Sequence, residues 1–296
     1  MTSFGYHASH EQFSPADLLQ YVQAAEQAGF DAAMCSDHFH PWTQAQGNSG
    51  FAWAWLGAAL QATGLSFGTV SVPGYRYHPA VLAQAAATLA FMYPGRFWLA
   101  LGSGEALNET ITGERWPPKP ERNERLAECV EIMRALWAGE TVSHRGGVVV
   151  EEATLFTRPP NPPMVVGAAL TPETARWVGG WADGLITIAH PLDELKELLD
   201  GFRDSGGDKP AFLQFQLSFG DSDAQASRVA AEQWPIAMLA SDVLAQLRRP
   251  EQFEAATQML DGATVANEIP AHAQPARFVD EIGAYAELGF ERIYLH

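Results

Sequence analysis

Cysteine is nearly missing from this chain, with two among 296 residues, Cys35 and Cys129. Each lies inside an apolar stretch, so buried free thiols in a reducing compartment are expected rather than a disulfide. Basic residues are scarce too: 18 Lys and Arg against 35 Asp and Glu give a net charge of -17. Charge of that sign repels a phosphate backbone or an anionic lipid surface at long range, which argues against nucleic acid and membranes as partners. No uninterrupted apolar run reaches transmembrane length. The opening MTSFGYHAS has neither the basic start nor the apolar run of a secretory leader, so a cytoplasmic protein is expected. A GxGxxG after the first strand-like segment is also lacking, which weakens the case for a dinucleotide-binding open sheet.

What is present is the material of a large core. With 47% hydrophobic and 18% charged residues the chain folds without needing a metal or disulfide to hold it. Three segments repeat one pattern, in AAEQAGFDAAMCSD, WVGGWADGLITIAH and AYAELGFERIYLH: an amphipathic helix closes at glycine and a short apolar strand begins at once. Glycine there offers a left-handed cap, and a strand that is apolar throughout is one covered by helices on its outer face. Outward from these anchors, strands fit SFGYHA, DAAMCS, SFGTVSV, RFWLALG, PMVVGAA, DGLITIA, AFLQFQLSF and RIYLH, with helical patterns between them. Eight alternating pairs predict a (β/α)8 TIM barrel, with a doubly wound sheet as runner-up. TVSHRGGVVVEEATLF reads as a hairpin inserted before the fifth strand, and residues 221–268 as a helical insertion within a single domain spanning 1–296. The eighth strand runs to His296, with no residues after it for a closing helix.

In such a barrel, residues just past the C-terminal strand ends face a common pocket. Asp37, His38, His40 and Trp42, in SDHFHPW, follow the second strand; Ser71 ends the third; Ser103, Gly104, Glu105 and Asn108 follow the fourth; Ala169 and Thr171 follow the fifth. His7, on the first strand, and His190, after the sixth, read as hydrogen-bonded structural residues, and His144 as solvated. His38 stands apart because Asp37 and Glu105 fall on the same rim, giving the acid and base that proton transfer needs. Trp42 sits in a polar loop and is placed in the pocket, while the tryptophans at helical or strand spacing are placed in the core. The two glycines of LGSGEALNE let backbone pass close to a flat ligand, or make an ordinary tight turn. In ALTPET, Thr171 is the N-cap and Pro172 the first helical residue, with no Glu or Gln at the third position. Open amides there suit a phosphate, or belong to a simply capped helix. Two other classes stay open: a metal-dependent barrel hydrolase using His38, His40, Glu105 and His190, and a non-catalytic ligand-binding protein. The first is weak, because the His-x-His pair runs into Pro41 with Phe39 between the imidazoles, and no metal is expected.

GYHASHEQFSP, SDHFHPW, YRYHPAVLAQAAATLA, GRFWLALGSGEALNE and ERNERLAECVEIMRALWAGE, in that order, resemble the F420-dependent glucose-6-phosphate dehydrogenase branch of the luciferase-like monooxygenase superfamily. The resemblance is strongest from residue 4 to about residue 140. It implies a barrel, commonly a homodimer, that binds a flavin or deazaflavin across the strand ends and passes hydride to or from a small-molecule substrate. By similarity Asp37, Val70, Ser71, Ser103, Gly104, Asn108, Ala169, Leu170 and Thr171 border the cofactor. His38 acts on the substrate hydroxyl, Glu105 donates a proton, and Trp42 and His40 line the substrate pocket. A non-prolyl cis bond is implied between Val70 and Ser71. Where the family holds a sugar phosphate with two lysines and an arginine, this chain has Pro191, Leu244 and Glu268, which argues against glucose 6-phosphate. Leu170 and Thr171 replace the Gly-Gly pair that cradles the cofactor phosphate. The sequence looks closest to the FMN-using sub-branch, so FMN is the expected cofactor and coenzyme F420 the alternative.

Overall fold

Short strands that are apolar on both faces can be buried only between an inner plug and an outer layer of helices, and closing the sheet removes its edges. The structure, a computed structural model, describes residues 2–260, 264–265 and 268–296. Its elements run β1 (Ser3–Ala8), α1 (Pro15–Gln27), β2 (Ala32–Cys35), α2 (Ala52–Ala62), β3 (Ser66–Ser71), α3 (Pro79–Met92), β4 (Phe97–Leu101), α4 (Ala106–Glu109) and α5 (Lys119–Ala138). The antiparallel hairpin β5 (Val142–Arg145) and β6 (Val149–Ala153) follows, then β7 (Met164–Ala168), α6 (Pro172–Gly179), β8 (Gly184–Ile188), α7 (Leu192–Gly206) and β9 (Ala211–Phe215). Beyond these come β10 (Ser218–Phe219), α8 (Asp223–Gln233), α9 (Ser241–Leu244), α10 (Pro250–Thr257), β11 (Ala271–His272), a last helix Pro275–Glu287 and β12 (Arg292–Leu295).

The barrel is closed in the order β1-β12-β9-β8-β7-β4-β3-β2, every pair parallel. All eight predicted strands are its staves. The seventh is shorter than expected: AFLQFQLSF breaks after Phe215, and Ser218 and Phe219 pair instead with β11 in a separate two-stranded sheet. Met34, Trp98, Phe212 and Tyr294 fill the barrel interior. Space for the Trp98 indole comes from Gly68 on the neighbouring strand, where a Cβ would stand 1.9 Å from it. Two larger cores lie outside, one joining α1–α3 and α5 to β1–β4 and β7, the other joining α6, α7 and the last helix to β8, β9 and β12.

The glycine punctuation holds in two of three places. Gly29 and Gly289 adopt positive φ after α1 and the last helix, whereas Gly180, which caps α6, has φ -72. Its neighbour Gly179 serves contact instead: a Cβ there would lie 2.2 Å from Ser205 Oγ and 2.6 Å from the Phe202 carbonyl, so glycine lets α6 lie tight against α7. Cys35 and Cys129 are buried free thiols, as composition led us to expect. Among the described residues no helix is long and apolar enough to cross a membrane.

Candidate active site at the barrel rim

At the end of β2 the chain turns polar, and Asp37 is buried there by partners from three other segments. One carboxylate oxygen accepts from the Ser71 hydroxyl at 2.6 Å and the Trp53 indole N–H at 3.3 Å; the other accepts from the Tyr77 hydroxyl at 2.8 Å. Arg76, also buried, lies 3.3 Å from the same carboxylate and donates to the Asp37 carbonyl at 2.7 Å. On its far side Arg76 Nε is 3.6 Å from Glu109 Oε1, and its backbone N–H donates to Glu109 Oε2 at 3.0 Å. One guanidinium thus serves two buried carboxylates. Burial raises the Glu109 carboxyl to about 7, and raises the Tyr77 phenol well above its usual range, with Asp37 adding to the effect.

His38 stands between two further acids. Its Nδ1 is 3.4 Å from Glu11 Oε1, and its Nε2 is 4.0 Å from Glu105 Oε2. The two carboxyls are pushed in opposite directions. Burial raises Glu105, and the nearby Glu11 charge adds to this while His38 opposes it. Burial also acts on Glu11, but the His38 imidazole and a hydroxyl hydrogen bond from Ser36 outweigh it and hold that carboxyl below its usual range. Two titratable groups whose surroundings separate them this way are suited to acid and base roles at one pH. The Trp42 ring packs on His38 with centroids 5.0 Å apart.

The other expected site residues divide. Asn108 Oδ1 accepts from the N–H groups of Phe39 and His40 at 2.9 and 3.3 Å, and His40 Nδ1 meets the Leu107 carbonyl at 2.9 Å. These contacts fasten the loop after β2 to α4. Gly104 has φ +84, and a Cβ would come within 2.8 Å of Val72, so only glycine turns the chain here to aim Glu105 at His38. Ser103 is half-buried beside it. Val70 borders the barrel interior. The bond between Val70 and Ser71 is not cis, and no cis bond occurs among the described residues; both residues simply continue the β3 ladder opposite Ala100 and Leu101. Ala169 is buried and Leu170 is 40% exposed. Thr171 caps α6 by accepting from the Thr174 N–H at 3.3 Å, so that amide is not open, while Lys119 Nζ reaches Thr174 Oγ1 at 2.9 Å.

Sequence reasoning missed Glu11, Tyr77, Arg76, Glu109 and Lys119; Trp53 lies in the core as expected and, beyond that, turns its indole N–H to Asp37. The rim rule that picked out Asp37 applies equally to Glu11, three residues past the end of β1. His7 and His296 stack with centroids 4.1 Å apart, and burial holds both imidazoles low, His296 at about 4. Among the described residues no three His, Cys, Asp or Glu side chains are grouped to hold a metal.

Segments between β10 and α10 roof the rim. Gln12 donates to the Gln233 side chain at 3.1 Å, Gln46 to the Gln233 carbonyl at 3.0 Å, and the Ala245 carbonyl accepts from Ala106 N–H and Trp116 Nε1 at 3.1 and 2.9 Å. Beneath them Leu107, Ile236 and Phe253 form an apolar cluster joined by Trp42, Leu244 and Leu247.

Residues 1–292 match the luciferase-like monooxygenase family. The chain is similar to the F420-dependent glucose-6-phosphate dehydrogenases of Segniliparus rotundus, at 37% identity over 99% of this chain and 91% of the relative, and of Microbacterium testaceum, at 36% over 99% and 90%. Among solved structures it is similar to an F420-dependent secondary alcohol dehydrogenase in complex with an F420-acetone adduct, at TM-score 0.91 and 31% identity, covering 99% of this chain and 92% of the other. The F420-dependent tetrahydromethanopterin reductase of Methanopyrus kandleri shares the fold at TM-score 0.76 and 19% identity, over 99% and 92% of the two chains.

Proposed function

The chain belongs to the luciferase-like monooxygenase family, and on that premise we propose that it is a coenzyme F420-dependent oxidoreductase acting on a small hydroxyl or carbonyl substrate. The observation that carries the reading is His38 held between Glu11 and Glu105, whose carboxyls are shifted in opposite directions. When bound, the deazaflavin ring supplies the two-electron acceptor or donor for hydride. His38 takes the proton of the substrate hydroxyl, and the ionised Glu11 orients its ring and balances the charge it gains. Glu105, whose carboxyl burial raises, delivers the proton that accompanies hydride. Asp37, braced by four side chains, presents a fixed edge toward the cofactor, and Trp42 walls the substrate side.

The residues at the rim fit such a group. Val70, Ala169 and the partly exposed Leu170 offer carbon to a flat ring. The N-terminus of α6, the Thr171 and Thr174 hydroxyls and Lys119 offer donors to an anionic tail. FMN, favoured from the resemblance to an FMN-using sub-branch, gives way to F420 here. The relatives reported above at more than 30% identity are named for F420, and within a bulk charge of -17 Lys119 is a local cation at the start of α6. Titrating the purified protein with F420 and FMN, followed by absorbance and fluorescence, tests this: F420 binds more tightly. Tighter FMN binding, or a protein that binds neither, overturns it.

A homodimer in the cytoplasm completes the proposal. From Phe51 to Gly95 the only charged residue is the buried Arg76, yet Phe51, Val81, Phe91 and Met92 are exposed along α2 and α3. Two copies that each carry -17 repel least across a face without charge.

A further inference from the structure

We propose that the barrel carries a second small-molecule site at the end opposite the rim, and that it takes an aromatic monocarboxylate. A cavity of about 280 Å³ opens there, close to the lower end of ordinary ligand pockets. It is lined by the first or second residues of five staves: Ser66 of β3, Phe97 and Trp98 of β4, Met164 of β7, Phe212 of β9 and Arg292 of β12. Asp37, His38 and Glu105 lie past the other ends of β2 and β4, and β4 alone, with five residues, spans about 16 Å. The two sites are therefore separate, and a ligand at the base does not depend on what the rim binds.

Arg292 makes the base a receptor for a carboxylate. Its Nη1 donates to Ser66 Oγ at 3.1 Å and reaches the Tyr294 phenol oxygen at 3.5 Å, and its guanidinium carbon sits 5.4 Å from the centre of the Phe212 ring. Those contacts fix the plane of the group while spending only one of its three nitrogens. The N–H groups of Nε and Nη2 point the same way, and in this half-buried side chain they are left over for the cavity that it lines. Two parallel donors of that kind match the two oxygens of a carboxylate. Other arginines at this end are already engaged. Arg96 spends its Nε and Nη2 on the Leu60, Thr63 and Leu65 carbonyls, Arg134 pairs with Asp183 at 3.0 Å, and Arg158 donates to the Ala138 carbonyl at 3.0 Å.

The rest of the lining selects the body of the ligand. Phe97, Met164 and the rings of Trp98 and Phe212, whose centroids are 5.1 Å apart, supply flat carbon. Pro162 and Pro163 close another side, and their fixed φ leaves that segment few conformations to lose on binding. Glu291 is the one acid on the lining and is exposed, so a single cation faces the cavity against a single solvated anion. That balance suits one negative charge and disfavours two.

The test uses the full chain with benzoate as the probe, followed by saturation-transfer NMR and by tryptophan fluorescence. Benzoate should bind saturably and at least about tenfold more tightly than benzyl alcohol, which has the ring without the charge, or inorganic phosphate, which has charge without the ring. Arg292→Met removes the fork but keeps the bulk of the side chain; it should weaken benzoate at least about tenfold and erase the preference over benzyl alcohol, with Arg292→Lys in between. Ala90→Phe, from the cavity lining, should block both aromatic probes. Urea unfolding of each variant separates loss of the site from loss of the fold. Benzoate binding should be unchanged in His38→Ala and on adding F420. No saturable benzoate binding, equal affinity for benzyl alcohol or phosphate, binding that survives Arg292→Met, or displacement by F420 overturns the proposal. None of those results bears on hydride transfer at the rim, which the F420 titration of the wild-type protein reads separately.

Discussion

Between β1 and β4 the rim carries four carboxylates, an arginine and an imidazole in direct contact, on loops tied to one another by short hydrogen bonds. Between β7 and β12 it carries threonine hydroxyls, a neutral histidine, glutamine amides and an apolar roof. Each half has its own outer core, and the two meet through the strand ladders and the shared interior plug. The first half can fix proton movement because its charges neutralise one another in place. The second can vary what is bound, because hydroxyls and hydrocarbon commit it to no one charge state.

That contrast predicts where substitutions hurt most. His38→Ala should cut kcat about a thousandfold while leaving the cofactor dissociation constant within about twofold; a loss below tenfold would falsify the assignment of chemistry to the first half. Arg76→Met leaves Asp37 and Glu109 buried without their cation and should lower stability by about 3–5 kcal/mol in urea unfolding, with Arg76→Lys intermediate. Glu109 sharpens the point through pH. Its folded carboxyl at about 7 lies above the unfolded value, so the native state binds the extra proton and stability falls as pH rises from about 5 to 7, by up to about 3 kcal/mol. Unfolding curves at three pH values should show that slope, and Glu109→Gln should remove it.

Glu11→Gln should lower kcat about 10- to 100-fold with little change in KM and should move the acid limb of the pH–rate profile, which a merely structural loss would not do. Smallest is the effect expected where Lys119 of α5 reaches across to Thr174 in the second half: Lys119→Ala should weaken F420 binding about five- to tenfold, and the difference should shrink in high salt because that ammonium is exposed. If Lys119→Ala proved as damaging to kcat as His38→Ala, the division between the halves would collapse.

The barrel was legible because all eight strands are apolar runs set between amphipathic helices, a signal that survives in one sequence without knowledge of partners. Asp37, His38 and Glu105 were legible for a related reason, since a strand end fixes which rim a residue occupies. Arg76 and Glu109 were not. The contact joins residues 33 positions apart, and neither acid nor arginine at a loop or helix end differs by composition from a solvated one. Glu11 escaped because an acid in HASHEQ looks like loop polarity until Ser36 and His38 close over it. The glycine anchor after α6 misled for the opposite reason: Gly179 answers to a neighbouring helix, and spacing along one chain carries no trace of what lies across from it. The shortened seventh strand likewise reflects a partner, β11, more than fifty residues later.

The roof's attachment has a practical corollary. Gln12, Gln46, Ala106 and Trp116 hold it through amide and indole donors, and among the described residues no ion pair joins it to the rim. Ionic strength should then act on the enzyme by loosening its grip on the anionic cofactor, leaving the cover itself shut. Urea, which competes for amides, should unlatch it at concentrations that leave the barrel folded.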